Sequence, residues 1–202
     1  MPTSDEIQRF LTGAWRLMMG RPDGLKLLDL SADGFWNSFY AIVLALPAMF
    51  VGWVGVANGF GDQAAELGGR GSLLLRLAFI DMAAWIAPLI VVGLLAKPIG
   101  IADRFVPFVV ASNWGSAITS WMLAPVSILD VFFPSAVQIS DSLSLVLFIA
   151  VLILIWRLTN ASIGRGPGVA SAVFALVLVV SIFLIVGLQD VLGLTPLIQP
   201  AG

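Results

Sequence analysis

Asp81 is the residue in this chain most able to do chemistry, because it is the one carboxylate well inside an apolar run. An ionised carboxylate in hydrocarbon costs roughly 2.5 to 3.5 kcal/mol on insertion scales, so it must be paired, protonated or wet. Asn113 is the natural candidate partner. Asp81 lies about 12 Å in from one edge of its run, and Asn113 about 12 Å in from the opposite edge of the next. In a hydrocarbon core of about 30 Å they differ in depth by only about 6 Å. A hydrogen bond between them, direct or through water, is therefore expected. Ser112 and Ser116 flank Asn113 and complete a candidate intramembrane polar site. Such a site could carry protons or ions, or it could be an interhelix hydrogen bond that only holds the bundle together.

Other chemistry is poorly supplied. The sequence contains no histidine and no cysteine, which removes the usual general base, the commonest metal ligands and any thiol nucleophile. A serine nucleophile would need a base at matching depth, and none is present. The sequence therefore predicts no enzyme, no cofactor and no metal site. A net charge of −2 gives no reason to expect a nucleic-acid partner. The glycine cluster from Gly164 to Gly168 lacks the Gly-Lys-Ser/Thr ending of a phosphate loop and reads as a turn.

The elements that must position Asp81 and Asn113 are membrane helices. Hydrophobic residues make up 59% of the chain and charged residues 11%, against roughly 25% charged in soluble domains. Five apolar runs, at 35–56, 73–96, 105–129, 140–158 and 169–188, each approach the roughly 20 residues that a helix needs to cross a bilayer. They do not alternate polar and apolar residues as barrel strands do. The expected fold is all-α: one membrane domain over 1–202, a polytopic bundle of five transmembrane helices with an N-terminal amphipathic interfacial helix. Membrane lipids, and other membrane proteins, are its expected partners.

Basic residues order the connections. Arg9, Arg16, Arg21 and Lys26 precede the first span, Lys97 and Arg104 lie between the second and third, and Arg157 and Arg165 lie around the fourth connection. Only Arg70 and Arg76 fall on the other side, making eight basic residues against two. Because arginine and lysine are retained in the cytoplasm on insertion, the N-terminus is expected to be cytoplasmic and the C-terminus periplasmic, in a bacterial inner membrane. The opening Met1-Pro2-Thr3-Ser4-Asp5-Glu6 has no basic stretch leading into an apolar one, so the first span is expected to be retained.

Residues 3–30 read as a cytoplasmic amphipathic segment. Thr3 and Glu6 have capping-box spacing, and Phe10 and Trp15 belong to an apolar stripe of helical period with Arg9 and Arg16 off it. Those four residues are expected to seat a helix on the membrane surface. The alternative is a helix packed on a partner or on the chain's own loops. Asp33 is expected to cap the first span. Ser112, Ser116 and Ser120, spaced by four, form a small-residue stripe expected to let another helix approach closely.

The layout of an amphipathic N-terminal segment followed by five closely spaced spans resembles the Yip1-type family of small membrane proteins. Its eukaryotic members act in vesicle traffic with small GTPases. Their aspartate-leucine-tyrosine-glycine-proline signature is missing here, where Tyr40 is the only tyrosine, so no functional residue carries over. The segments Gly34-Phe35-Trp36-Asn37-Ser38-Phe39 and Ala111-Ser112-Asn113-Trp114 also look like small alphaproteobacterial membrane proteins.

The leading expectation is thus a non-enzymatic membrane protein acting as scaffold, membrane organiser or accessory subunit. The alternative is a small transporter or channel with its polar site around Asp81 and Asn113. An odd number of crossings predicts that reporters fused before Met1 and after Gly202 report opposite faces of the membrane. Paired alkaline phosphatase and fluorescent-protein fusions check this.

Overall fold

The computed structural model describes residues 1–194. The C-terminal tail, whose lack of basic residues entered the expected orientation, lies largely outside the described residues. Within them the chain is helical, with no strand. An N-terminal helix α1 (Ser4–Met18) leads through a 3₁₀ turn (Pro22–Leu27) to α2 (Ala32–Ser38) and α3 (Tyr40–Gly59). A short α4 (Gln63–Glu66) precedes α5 (Gly69–Ile99), followed by α6 (Phe105–Phe132), α7 (Val137–Ile163) and α8 (Pro167–Val191). Five segments are long and apolar enough to cross a membrane: Ala32–Gly59, Gly69–Ile99, Ala102–Phe132, Gln138–Ile163 and Pro167–Val191. The chain is a five-span helical membrane bundle, as its composition requires.

The spans form a ring. α3 packs on α6, α6 on α7, α7 on α8, α8 on α5, and α5 returns to α3. Gly52 and Gly55 of α3 face α6, where a Cβ would reach ordinary contact with the Ser127 hydroxyl (3.4 Å) and with Val131 (3.5 Å). The expected stripe of Ser112, Ser116 and Ser120 is not a packing face of this kind. All three line the hollow inside the ring, because α6 turns its Ala111, Trp114 and Ala117 face outward toward α1.

The end of the bundle that carries α1 is tied together by arginine. Arg165, in the α7–α8 turn, pairs with Asp103 between α5 and α6 at 2.7 Å. Arg157 of α7 donates from Nη2 to the Met19 carbonyl at 2.5 Å, satisfying a carbonyl left over at the end of α1. The glycine cluster is the expected turn, with Gly164 in the left-handed region (φ 61°) ending α7 and Pro167 opening α8. At the far end, Arg76 does not reach for headgroups. Its two Nη atoms donate to the carbonyls of Leu192 (2.6 Å) and Leu67 (3.2 Å), tying α5 to the last turn of α8 and to the end of α4.

Ser31, not Asp33, caps the first span: its hydroxyl accepts from the Gly34 amide at 3.0 Å. Asp33 falls inside the first turn of α2. The apolar side of α1 is covered by protein rather than by headgroups. Phe10 is 4% exposed, with its ring 5.3 Å from that of Trp114, and Ala14, Leu17 and Met18 are sealed in the same cluster with Leu158. Of the four residues expected to seat this helix on the membrane, Arg9 and Arg16 point outward, Arg9 lying 5.1 Å from the Phe10 ring centroid and Arg16 pairing with Asp23 at 2.8 Å. Trp15 keeps 43% of its surface free. The 3₁₀ turn is pressed onto α1 where Gly24 meets Gly13, an approach so close that a Cβ on either residue would strike the other's carbonyl oxygen.

The capping box of α1 is formed in both directions. Glu6 accepts from the Thr3 amide at 2.7 Å, and the Thr3 hydroxyl accepts from the Glu6 amide at 3.3 Å. The Thr3 amide, and then its hydroxyl, hold the Glu6 carboxyl below its ordinary range. A depressed carboxylate contributes its stabilisation fully above its unfolded-state pKa and loses it as pH falls through the lowered folded value. Amide-exchange protection over the first turn of α1 is therefore expected to fall in acid. Glu6→Gln keeps an acceptor in the same place and should flatten that dependence, which exchange mass spectrometry on the full chain in nanodiscs can measure.

Candidate functional site

Inside the ring lies a cavity of about 920 Å³, lined by all five long helices. This is at the upper end of the size range of ligand pockets, about 300–1,000 Å³. Along α6 the lining runs from Phe108 to Asp130, about 33 Å at the helical rise. Along α8, Phe174, Val177, Ser181, Ile185 and Gln189 recur at three- and four-residue spacing and present one face to it. α7 contributes only Val151, Ile155 and Thr159, from its half nearest α1.

Asp81 opens onto this cavity at mid-depth, twelve residues from the start of α5, or about 18 Å along its axis. It does not bond Asn113. Its Oδ2 accepts from the Trp53 indole of α3 at 2.6 Å, and its Oδ1 has no hydrogen-bond partner among the described residues. No arginine or lysine pairs with it, and none is among the residues lining the cavity. Among the described residues, the only ionisable lining groups are Asp81 and Asp130. Asp130, near the far end of α6, accepts from the Ser140 hydroxyl.

Asn113 is fully buried (0% exposed) and fully engaged. Its Oδ1 accepts from the Trp85 indole of α5 at 2.9 Å, and its Nδ2 donates to the Ser38 hydroxyl at 2.8 Å. Ser38 in turn donates to the Phe35 carbonyl at 2.6 Å, at the end of α2. The reason for the missed pairing is geometric. Trp85 stands one helical turn, about 6 Å, along α5 from Asp81, on the side toward α1 where Asn113 lies. Asn113 thus meets the tryptophan while Asp81, a turn away, meets Trp53.

Both tryptophans escaped the sequence reading as partners. A signal was available: an indole N–H inside a membrane span has no water to bond and must find an acceptor on another helix. Trp121 does the same, donating to the Leu44 carbonyl of α3 at 2.9 Å, beside the bend-prone Pro47.

The serines of the expected polar site divide by role. Ser112 and Ser116 both face the cavity, and neither hydroxyl is bonded to protein among the described residues. The hydroxyls of Thr119 (3.0 Å) and Ser120 (2.9 Å) are returned to the Ser116 carbonyl. Asp81 Oδ1 and the Ser112 and Ser116 hydroxyls therefore have hydrogen-bonding capacity to spare, as do the side chains of Ser127, Ser181 and Gln189 on the same lining. Among the described residues no three His, Cys, Asp or Glu side chains gather as a metal site would require. No family model, curated protein or solved structure matches the chain.

Two separate polar units result: Trp53–Asp81, and Ser38–Asn113–Trp85. Trp85→Phe should lower the thermal midpoint by removing a bond worth about 0.6–1.7 kcal/mol within a membrane. Combined with Asn113→Ala it should cost clearly less than the sum of the two single changes, since both act on one network. Trp85→Phe with Trp53→Phe should be closer to additive. A double-mutant cycle of detergent melting curves tests both.

Proposed function

We propose that this protein is a small multi-pass carrier that takes a solute into the centre of its five-helix ring. The reading rests on one observation: the five helices surround a partly open cavity of about 920 Å³ into which the single mid-span carboxylate opens with one oxygen unengaged. A protein acting only by helix packing gains nothing from a hollow centre, because atoms lining a void forgo the dispersion attraction that close packing supplies. That weighs against the scaffold reading. Ser112, Ser116 and Asp81 would supply the polar contacts, and the apolar faces of α5 and α8 the remainder, as in ligand sites generally. On the charge count, the end bearing α1 lies in the cytoplasm of a bacterial cell and the far end in the periplasm. The resemblance to Yip1-type proteins is one of layout and assigns no residue a role.

Uptake into proteoliposomes tests the proposal with a panel of radiolabelled amines, amino acids, sugars and carboxylates. Saturable uptake of at least one class is expected. It should fall severalfold when Ser116→Trp fills the cavity, and it should depend on pH in the wild type but not in Asp81→Asn. Uptake no faster than in protein-free liposomes across the whole panel would sink the carrier reading.

A further inference from the structure

We infer that the cavity takes a monovalent organic cation with an apolar body, held by Asp81 as its counter-ion. The inference deepens the carrier reading and rests on it for the direction of movement, though binding can be tested alone. Three features of the lining lead to it.

The first is sign. Two aspartates and no basic side chain face the cavity, so its field favours cations over anions. Every basic residue that could have answered Asp81 is placed elsewhere; Arg76, the nearest in sequence, is committed to the Leu67 and Leu192 carbonyls.

The second is number. Asp130 stands near the far end of α6 and Asp81 about 15 Å deeper. At depth the ligand therefore meets one carboxylate, which suits one positive charge. Asp81 Oδ2 is already occupied by Trp53, and only Oδ1 remains to receive a charged N–H or to neutralise a quaternary centre. Calcium or magnesium would want about six or more oxygen ligands, and among the described residues no three His, Cys, Asp or Glu side chains gather to hold any metal.

The third is the wall. Trp53 and Trp85 line the cavity beside Asp81, with Met49, Leu77 and Leu89 close by. Indole rings attract cations through their quadrupole, by about 0.5–2 kcal/mol depending on desolvation. A small hydrated ion would leave most of a 920 Å³ space unfilled, whereas a drug-sized apolar body fills it.

Equilibrium dialysis of radiolabelled tetraphenylphosphonium against the full chain in phosphatidylcholine nanodiscs tests this. Saturable binding of one cation per chain is expected, retained in Asp81→Glu and weakened about tenfold or more in Asp81→Asn, the order expected on losing a charge-assisted contact. Asn at this position keeps an acceptor for Trp53, and melting curves establish that the variant folds. Tetraphenylborate, of the same shape and opposite charge, dialysed separately against the wild type, should show no saturable binding, a readout that needs no variant. Equally tight saturable binding of the anion alone, undiminished binding of the cation in Asp81→Asn, or no saturable binding of the cation would each overturn the inference. Cation binding without flux of any solute would keep this inference and remove the carrier reading. Saturable flux of neutral or anionic solutes alone, with no cation bound, would do the reverse.

Discussion

Asn113 is the node on which the bundle depends. Hydrocarbon offers no water to an unpaired amide, so a fully buried asparagine in a span must find both a donor and an acceptor in protein. It finds them on two different spans: the Trp85 indole of α5 and the Ser38 hydroxyl at the break between α2 and α3. One side chain thus fixes the rotation of three helices about their own axes, which apolar packing against lipid-like neighbours would leave loosely determined. The Trp53–Asp81 bond repeats the device about one turn nearer the far end. With α3, α5 and α6 held in phase, the unbonded hydroxyls of Ser112 and Ser116 face a common interior.

What was legible in the residues follows the same division. Span number, span length and the turn at Gly164–Pro167 could be read because they depend on quantities that accumulate along the chain, hydropathy and helical rise. Azimuth was not legible. Every span is apolar almost all round, so no polar face in the sequence says which way a helix is turned. The stripe of Ser112, Ser116 and Ser120 could equally have met a neighbouring helix or an open interior. Phe10 and Met18 were hidden differently. A stripe of large apolar residues suits lipid or protein alike, and only the pairing of Phe10 with Trp114 and of Met18 with Gly115 decides it.

The hollow has an energetic counterpart in the two lipid-facing helices. From Asp141 to Ile153 of α7, and from Phe174 to the end of α8, no residue is buried. Their burial is concentrated near the turn that joins them, where Trp156 donates to Ser171 at 3.0 Å, while the Ser140–Asp130 and Arg76–Leu192 bonds tether their other ends. α3, α5 and α6 bury residues along their whole lengths, whereas α7 and α8 bury theirs chiefly toward one end. Local openings are drawn from regions where little apolar surface is buried, so any change in the shape of the interior falls first on α7 and α8.

α7 is also the helix that grips the N-terminal segment. Arg157 caps the end of α1, and two residues further on Thr159 looks into the cavity. The seat of α1 and one wall of the interior are therefore parts of a single rod. Free energies linked through one rod are reciprocal. If filling the interior shifts α7 and loosens α1, then a molecule that pulls α1 away from outside alters affinity at the centre by the same factor. The arginine staple thus joins the amino-terminal helix to one wall of the interior through a single helix.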